Sequence, residues 1–173
     1  EEIEAGDTTW RFETAFLRAL LGWESFLEDV FLHYLCGRDG TDGHSCTPIV
    51  RPRSIEVARS VVLGDFDYLE WTSRATVVSR ADHWLADKSF FESGFNKAPE
   101  LKHMYRIRNR IAHSSTKSQQ DFAATRQHLA PHRAHYKGFG PGMLLRHSRP
   151  AGRNVDLLVA QLKNAATAVA KGP

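Results

Sequence analysis

The sequence predicts an all-α protein, a bundle built on long antiparallel helices. Three observations predict it. Apolar residues recur at steps of three and four in several long segments, no segment alternates apolar and polar residues for the length of a strand, and glycine and proline gather in short stretches between the periodic ones. With 42% hydrophobic and 25% charged residues over 173 positions, one core is enough, so residues 1–173 are expected to form a single helical domain.

Taken in order, Phe12, Phe16, Leu20, Trp23, Leu27, Val30 and Tyr34 mark one face of a long first helix. Leu17, Leu21, Phe31 and Leu35 widen that face, which predicts burial against more than one neighbour, and Gly37 supplies the stop. The Gly-, Asp-, Thr- and Pro-containing stretch from Gly37 to Pro52 reads as a loop. Helices are expected around Ser54–Leu63 and Thr72–Ala86, broken at Gly64-Asp65. A loop over Ser89–Ala98 leads to Pro99, suited to the first turn of a helix running to about His113. A further helix covers Ser118–Leu129 and stops near Pro131. The stretch Tyr136–Gly152, with four glycines and two prolines, reads as a long irregular connection or short hairpin before a last helix at Val155–Ala170. The four tryptophans, Trp10, Trp23, Trp71 and Trp84, are expected in core and interface.

Composition excludes some classes of protein. No apolar run approaches the ~20 residues needed to span a bilayer, and the acidic opening Glu1-Glu2-Ile3-Glu4 is unlike a signal peptide. Only Cys36 and Cys46 are available for a disulfide, so a cytoplasmic protein is expected, and a start at Glu1 suits a piece of a longer chain. The net charge of +3 conceals an asymmetry: residues 1–35 hold eight acids and two bases, whereas residues 101–153 hold eleven bases and Asp121 alone. Six of the nine histidines fall in that basic stretch. Such a field draws phosphate backbones, which the charge favours over a solvated basic face or an acidic protein partner.

The segment Pro99–His113 is where the chain departs from a generic helix. At about 100° per residue, Leu101, Met104, Tyr105, Ile111 and Ala112 form an apolar stripe with Arg108 in its middle. A buried guanidinium is expensive to desolvate, so this placement calls for a carboxylate, a subunit interface or a polar cavity. Lys102, Arg106, Asn109 and His113 share the neighbouring face, where Asn109 is within reach of the imidazole and suited to orienting it. Arg110 faces away from the stripe. Without further context, an Arg and a His near a helix end are more often an ion-pair partner and a cap of the helix dipole.

The run Met104-Tyr105-Arg106-Ile107-Arg108-Asn109-Arg110-Ile111-Ala112-His113 resembles the Arg-Asn-x-x-x-His signature of HEPN domains, helical domains of RNA-cleaving toxins, defence systems and CRISPR effectors, and within them the RiboL-PSP-like branch. The first helix, with Trp23-Glu24-Ser25-Phe26-Leu27-Glu28, is similar to the long opening helix of these domains. One branch carries Tyr two residues after the His; this chain has Ser115 there, so regulation through that Tyr is not implied. The resemblance implies a metal-independent endoribonuclease of a toxin–antitoxin or antiviral defence system, without a cofactor and acting as a homodimer. It assigns Arg108 and His113 as the catalytic pair and Asn109 as their support. RNA contacts are expected from Lys102, Arg106 and Arg110, help from Glu24, and an antitoxin or other regulatory protein as partner. The alternative is a non-cutting module that binds RNA or dimerises, and the sequence favours the endoribonuclease over it.

The chemistry suits these residue types. An imidazole titrating near neutrality both takes and gives a proton while a ribose 2′-hydroxyl attacks its own phosphate, and a guanidinium grips the phosphate as charge grows on it. On an ideal helix Arg108 and His113 point about 140° apart, so a reactive site is expected to pair Arg108 of one subunit with His113 of the other. No metal is expected: Cys36, Asp39, Asp42, His44 and Cys46 match no zinc spacing and read as a loop with two free thiols. His128, His132 and His135 fall at helical spacing, but Pro131 interrupts it and an RNA-facing surface accounts for them.

Overall fold

The long apolar periodicity of the first segment becomes α1 (Glu2–Leu35), ended by Gly37, whose φ of +69° suits a residue without a β-carbon. A computed structural model describes residues 2–136 and 138–172, with side chains from Thr8 onward; Glu1, Lys137, Pro173 and the side chains of residues 1–7 lie outside the described residues. Among the described residues seven further α-helices follow, α2 (Ile55–Leu63), α3 (Arg74–Trp84), α4 (Ser89–Asn96), α5 (Leu101–Ala112), α6 (Thr116–Leu129), α7 (Pro141–Arg146) and α8 (Asn154–Lys171), with one 3-10 turn at Pro131–Arg133. Two strands of two residues each, β1 (Ser148–Arg149) and β2 (Gly152–Arg153), pair antiparallel. The protein is therefore all-α, and no described helix is long and apolar enough to cross a membrane.

The chain divides into two compact units, residues 1–21 with 99–162 and residues 22–98 with 163–173. The first has Phe16, Leu20, Met104, Ile107, Phe122, Leu129, Leu144, Leu145 and Leu158 in its core. Its α5 and α6 form a hairpin whose antiparallel register is written in side-chain contacts: Glu100 meets His128, His103 meets Thr125 and Arg106 meets Asp121. Short caps define the ends. The Ser115 hydroxyl accepts the Ser118 N–H at the start of α6, and the Glu13 carboxylate accepts the Gly142 N–H at the start of α7.

The second unit is aromatic. Phe31 packs on Trp71 and Phe91, Trp23 edges onto Phe95, and Tyr34 meets Phe90 with ring centroids 5.0 Å apart. The Tyr34 hydroxyl donates to the Val169 carbonyl at 2.5 Å, and burial pushes its pKa up to about 12. Ser54 and Ser73 cap α2 and α3.

Three expectations need correction. Ser89–Ala98 is not a loop: Ser89–Asn96 is helical, because Phe90, Phe91 and Phe95 are buried and Gly94 sits so close to Val169 that a β-carbon there would lie 2.1 Å from its Cγ2. Tertiary packing outweighs the local glycine. Pro99 precedes α5 rather than standing in its first turn. The Tyr136–Gly152 stretch contains α7 as well as the hairpin. Trp23 and Trp71 are buried as expected, but Trp10 is 63% exposed.

Candidate functional site

The turn between α5 and α6 gathers most of the residues singled out from the sequence. The stripe of α5 is centred on Leu101, Met104 and Ile107, of which Met104 and Ile107 are wholly buried. Arg108 therefore lies at the half-buried margin of the stripe and not in its middle, and Ala112 is exposed. The placement of Ile107 makes the difference: one residue of rotation moves the guanidinium about 100° away from the core.

At this margin the Arg108 Nη1 donates to the Asn109 Oδ1 at 3.1 Å. The Asn109 carboxamide thus steadies the guanidinium rather than the imidazole. Asn109 reaches His113 only through the backbone, its carbonyl accepting the His113 N–H at 2.9 Å.

The helix stops before His113, whose backbone is extended at φ −137° and ψ 140°. Its carbonyl accepts from Arg110 Nη1 at 3.1 Å and lies 2.9 Å from the Ser118 hydroxyl. The backbone of His113 is held on both sides while its ring is exposed and has no hydrogen-bond partner among the described residues. The 140° separation expected on an ideal helix therefore does not describe His113.

Among the other basic residues, Lys102 is exposed, whereas Arg106 lies 3.7 Å from Asp121, which Lys117 also approaches at 3.4 Å. The one acid of the basic stretch thus engages two of its cations. Glu24 is half-buried on α1 and belongs to the other compact unit.

A second polar cluster, at the open end of the same hairpin, escaped the sequence reading. Glu100, His103 and His128 bring one donor atom each to within 4.8 Å of one another. The i, i+3 spacing of Glu100 and His103 on α5 was the available signal; the third member comes from α6, 25 residues further on, and only the hairpin register supplies it. The loop of Cys36 and Cys46 has both thiols free, and burial pushes Cys46 up to about 11. Set beside known proteins, the chain matches no family model, no curated protein and no solved structure.

Proposed function

We propose that this chain is an HEPN-type endoribonuclease, the effector of a toxin–antitoxin or antiviral defence system, acting on RNA as a homodimer under the control of a partner protein. The observation that carries the reading is the α5–α6 turn, where Arg108 and His113 stand at a basic helix end and neither has a carboxylate partner among the described residues. A guanidinium bound only to a neutral amide keeps its charge available for an anion. The start of α6, three residues beyond His113, adds the positive end of a helix dipole.

In this reading Arg108, steadied by Asn109, grips the scissile phosphate, with Lys102 and Arg110 on the flanking backbone. His113 takes the proton of the ribose 2′-hydroxyl as its oxygen attacks phosphorus. The imidazolium so formed returns a proton to the departing 5′-oxygen. Products are a 2′,3′-cyclic phosphate and a 5′-hydroxyl, and no step requires a metal. Incubation with synthetic RNA in EDTA tests this: cleavage with those ends is expected, and none where 2′-deoxyribose replaces the nucleophile. Binding without cleavage would identify a non-cutting RNA-binding module instead. Light scattering at tens of micromolar should give twice the chain mass.

A further inference from the structure

The open end of the α5–α6 hairpin has a different chemistry from its turn. His103 is half-buried, and its Nδ1 lies 3.0 Å from the Thr125 hydroxyl. Thr125 is fully buried, and that hydroxyl already donates its hydrogen to the Asp121 carbonyl at 3.1 Å. While that hydrogen stays on the Asp121 carbonyl, the Thr125 oxygen accepts from the His103 Nδ1–H, the tautomer that leaves the Nε2 lone pair for a ligand. Burial, and then the neighbouring His128, hold His103 below the ordinary imidazole pKa, which favours this neutral form.

The His128 ring stacks parallel on His103, centroids 4.3 Å apart. Its Nε2 faces the Glu100 carboxylate at 3.0 and 2.9 Å. Two imidazoles and one carboxylate, one ring oriented from behind by a buried hydroxyl, are the donor set and supporting contact of a transition-metal site.

We propose that Glu100, His103 and His128 bind one divalent first-row transition ion of the zinc type, with a fourth position left to water. Nitrogen donors and a single carboxylate select zinc, cobalt or nickel over magnesium and calcium, which require more oxygen ligands. Tetrahedral ligands about 2.0–2.1 Å from zinc stand roughly 3.3 Å apart, and the three donor atoms already lie within 4.8 Å of one another; to complete the site the exposed His128 ring has to swing out of its parallel stack on His103 so that both lone pairs converge on the ion. The ion takes the place of the proton between His128 and Glu100. Because Glu100 and His103 lie at the start of α5 and His128 at the end of α6, it pins the open end of the hairpin. His113 lies roughly 15 Å further along α5, so the site is independent of the cleavage reading.

Tag-free protein stripped with chelator and titrated with Co²⁺ tests the site. The visible spectrum of a four-coordinate ion should saturate at one equivalent, be abolished by Zn²⁺ and be unaffected by Mg²⁺. A hundredfold excess of Zn²⁺ over its Kd should raise Tm by about 5–10 °C. The exposed His128→Ala should weaken binding more than tenfold. Thr125→Val, which keeps every ligand and removes only the acceptor behind His103, should weaken it by about 10–100-fold. In the wild-type protein Zn²⁺ should shift the ring protons of His103 and His128 in NMR spectra and leave those of His113 in place. Absence of one-equivalent binding, unmoved His103 and His128 rings, or one-equivalent binding that survives in His103→Ala/His128→Ala would each overturn the proposal.

Discussion

The two ends of the α5–α6 hairpin spend the same residue types in opposite ways. At the turn, Arg110 and Ser118 engage the His113 carbonyl, and neither the Arg108 guanidinium nor the His113 ring has a carboxylate partner among the described residues. At the open end, the Glu100 carboxylate engages His128 and the Thr125 hydroxyl engages His103. An arginine beside a bare imidazole suits an anion; a carboxylate beside two oriented imidazoles suits a cation. The difference lies in what stands behind each histidine, since the ring is common to both ends. Backbone contacts fix the main chain of His113, whereas a buried hydroxyl orients the ring of His103.

The comparison breaks first at the turn. His113→Ala should lower RNA cleavage by about 10²–10⁴-fold, the usual worth of a general acid or base, with Co²⁺ binding unchanged. A quantitative gel assay against wild type reads the first effect; cleavage at the wild-type rate would remove His113 from the chemistry. Since His113 leaves the helix, one chain should supply both reactive groups. Arg108→Ala and His113→Ala refolded together should then stay inactive even where mass spectrometry shows mixed dimers. Recovered cutting would show that the subunits exchange the two residues.

Between the two ends, the core of α5 gives the next effect. Ile107→Ala empties a wholly buried position and should cost about 2–5 kcal/mol, whereas Arg108→Ala at the margin should stay within about 0.5 kcal/mol. Chemical denaturation of both variants decides which residue holds the centre of the stripe. Equal losses would return Arg108 to the core.

This register also marks how far the sequence could be read. The helices with caps or clean periodicity were legible: Gly37 ends α1, Ser54 caps α2, and the 3.6-residue repeat locates α5, α6 and α8. The missed helix α4 has glycine in its interior and is held by Phe90, Phe91 and Phe95, which depend on contacts distant in the chain. At the turn the residue types were legible, but their geometry was not. Whether Arg108 or Ile107 faces inward turns on a single residue of rotation, and whether Asn109 serves Arg108 or His113 turns on where α5 ends. The open-end cluster joins α5 to α6, and pairing across a hairpin has no periodicity to announce it.

The smallest effect concerns Asp121, which sits between the two ends and contributes to both. Its carboxylate holds Arg106 at 3.7 Å and Lys117 at 3.4 Å, and its backbone carbonyl accepts the Thr125 hydroxyl that stands behind the His103 ring. Asp121→Asn removes the charge and leaves the carbonyl, so it separates the two roles. Both side-chain pairs are partly exposed and contribute little to stability, so the variant should fold as wild type does. Two cations would then be released for phosphates. RNA affinity should rise a few-fold at low salt, and the slope of log K against log salt should steepen by about 0.7 for each new contact with a single strand. Co²⁺ affinity should be unchanged because Thr125 keeps its acceptor. Fluorescence anisotropy across a salt series measures the first pair of effects. An unaltered slope would mean that Arg106 and Lys117 do not face the RNA, and the anion-binding surface would then be confined to the turn itself.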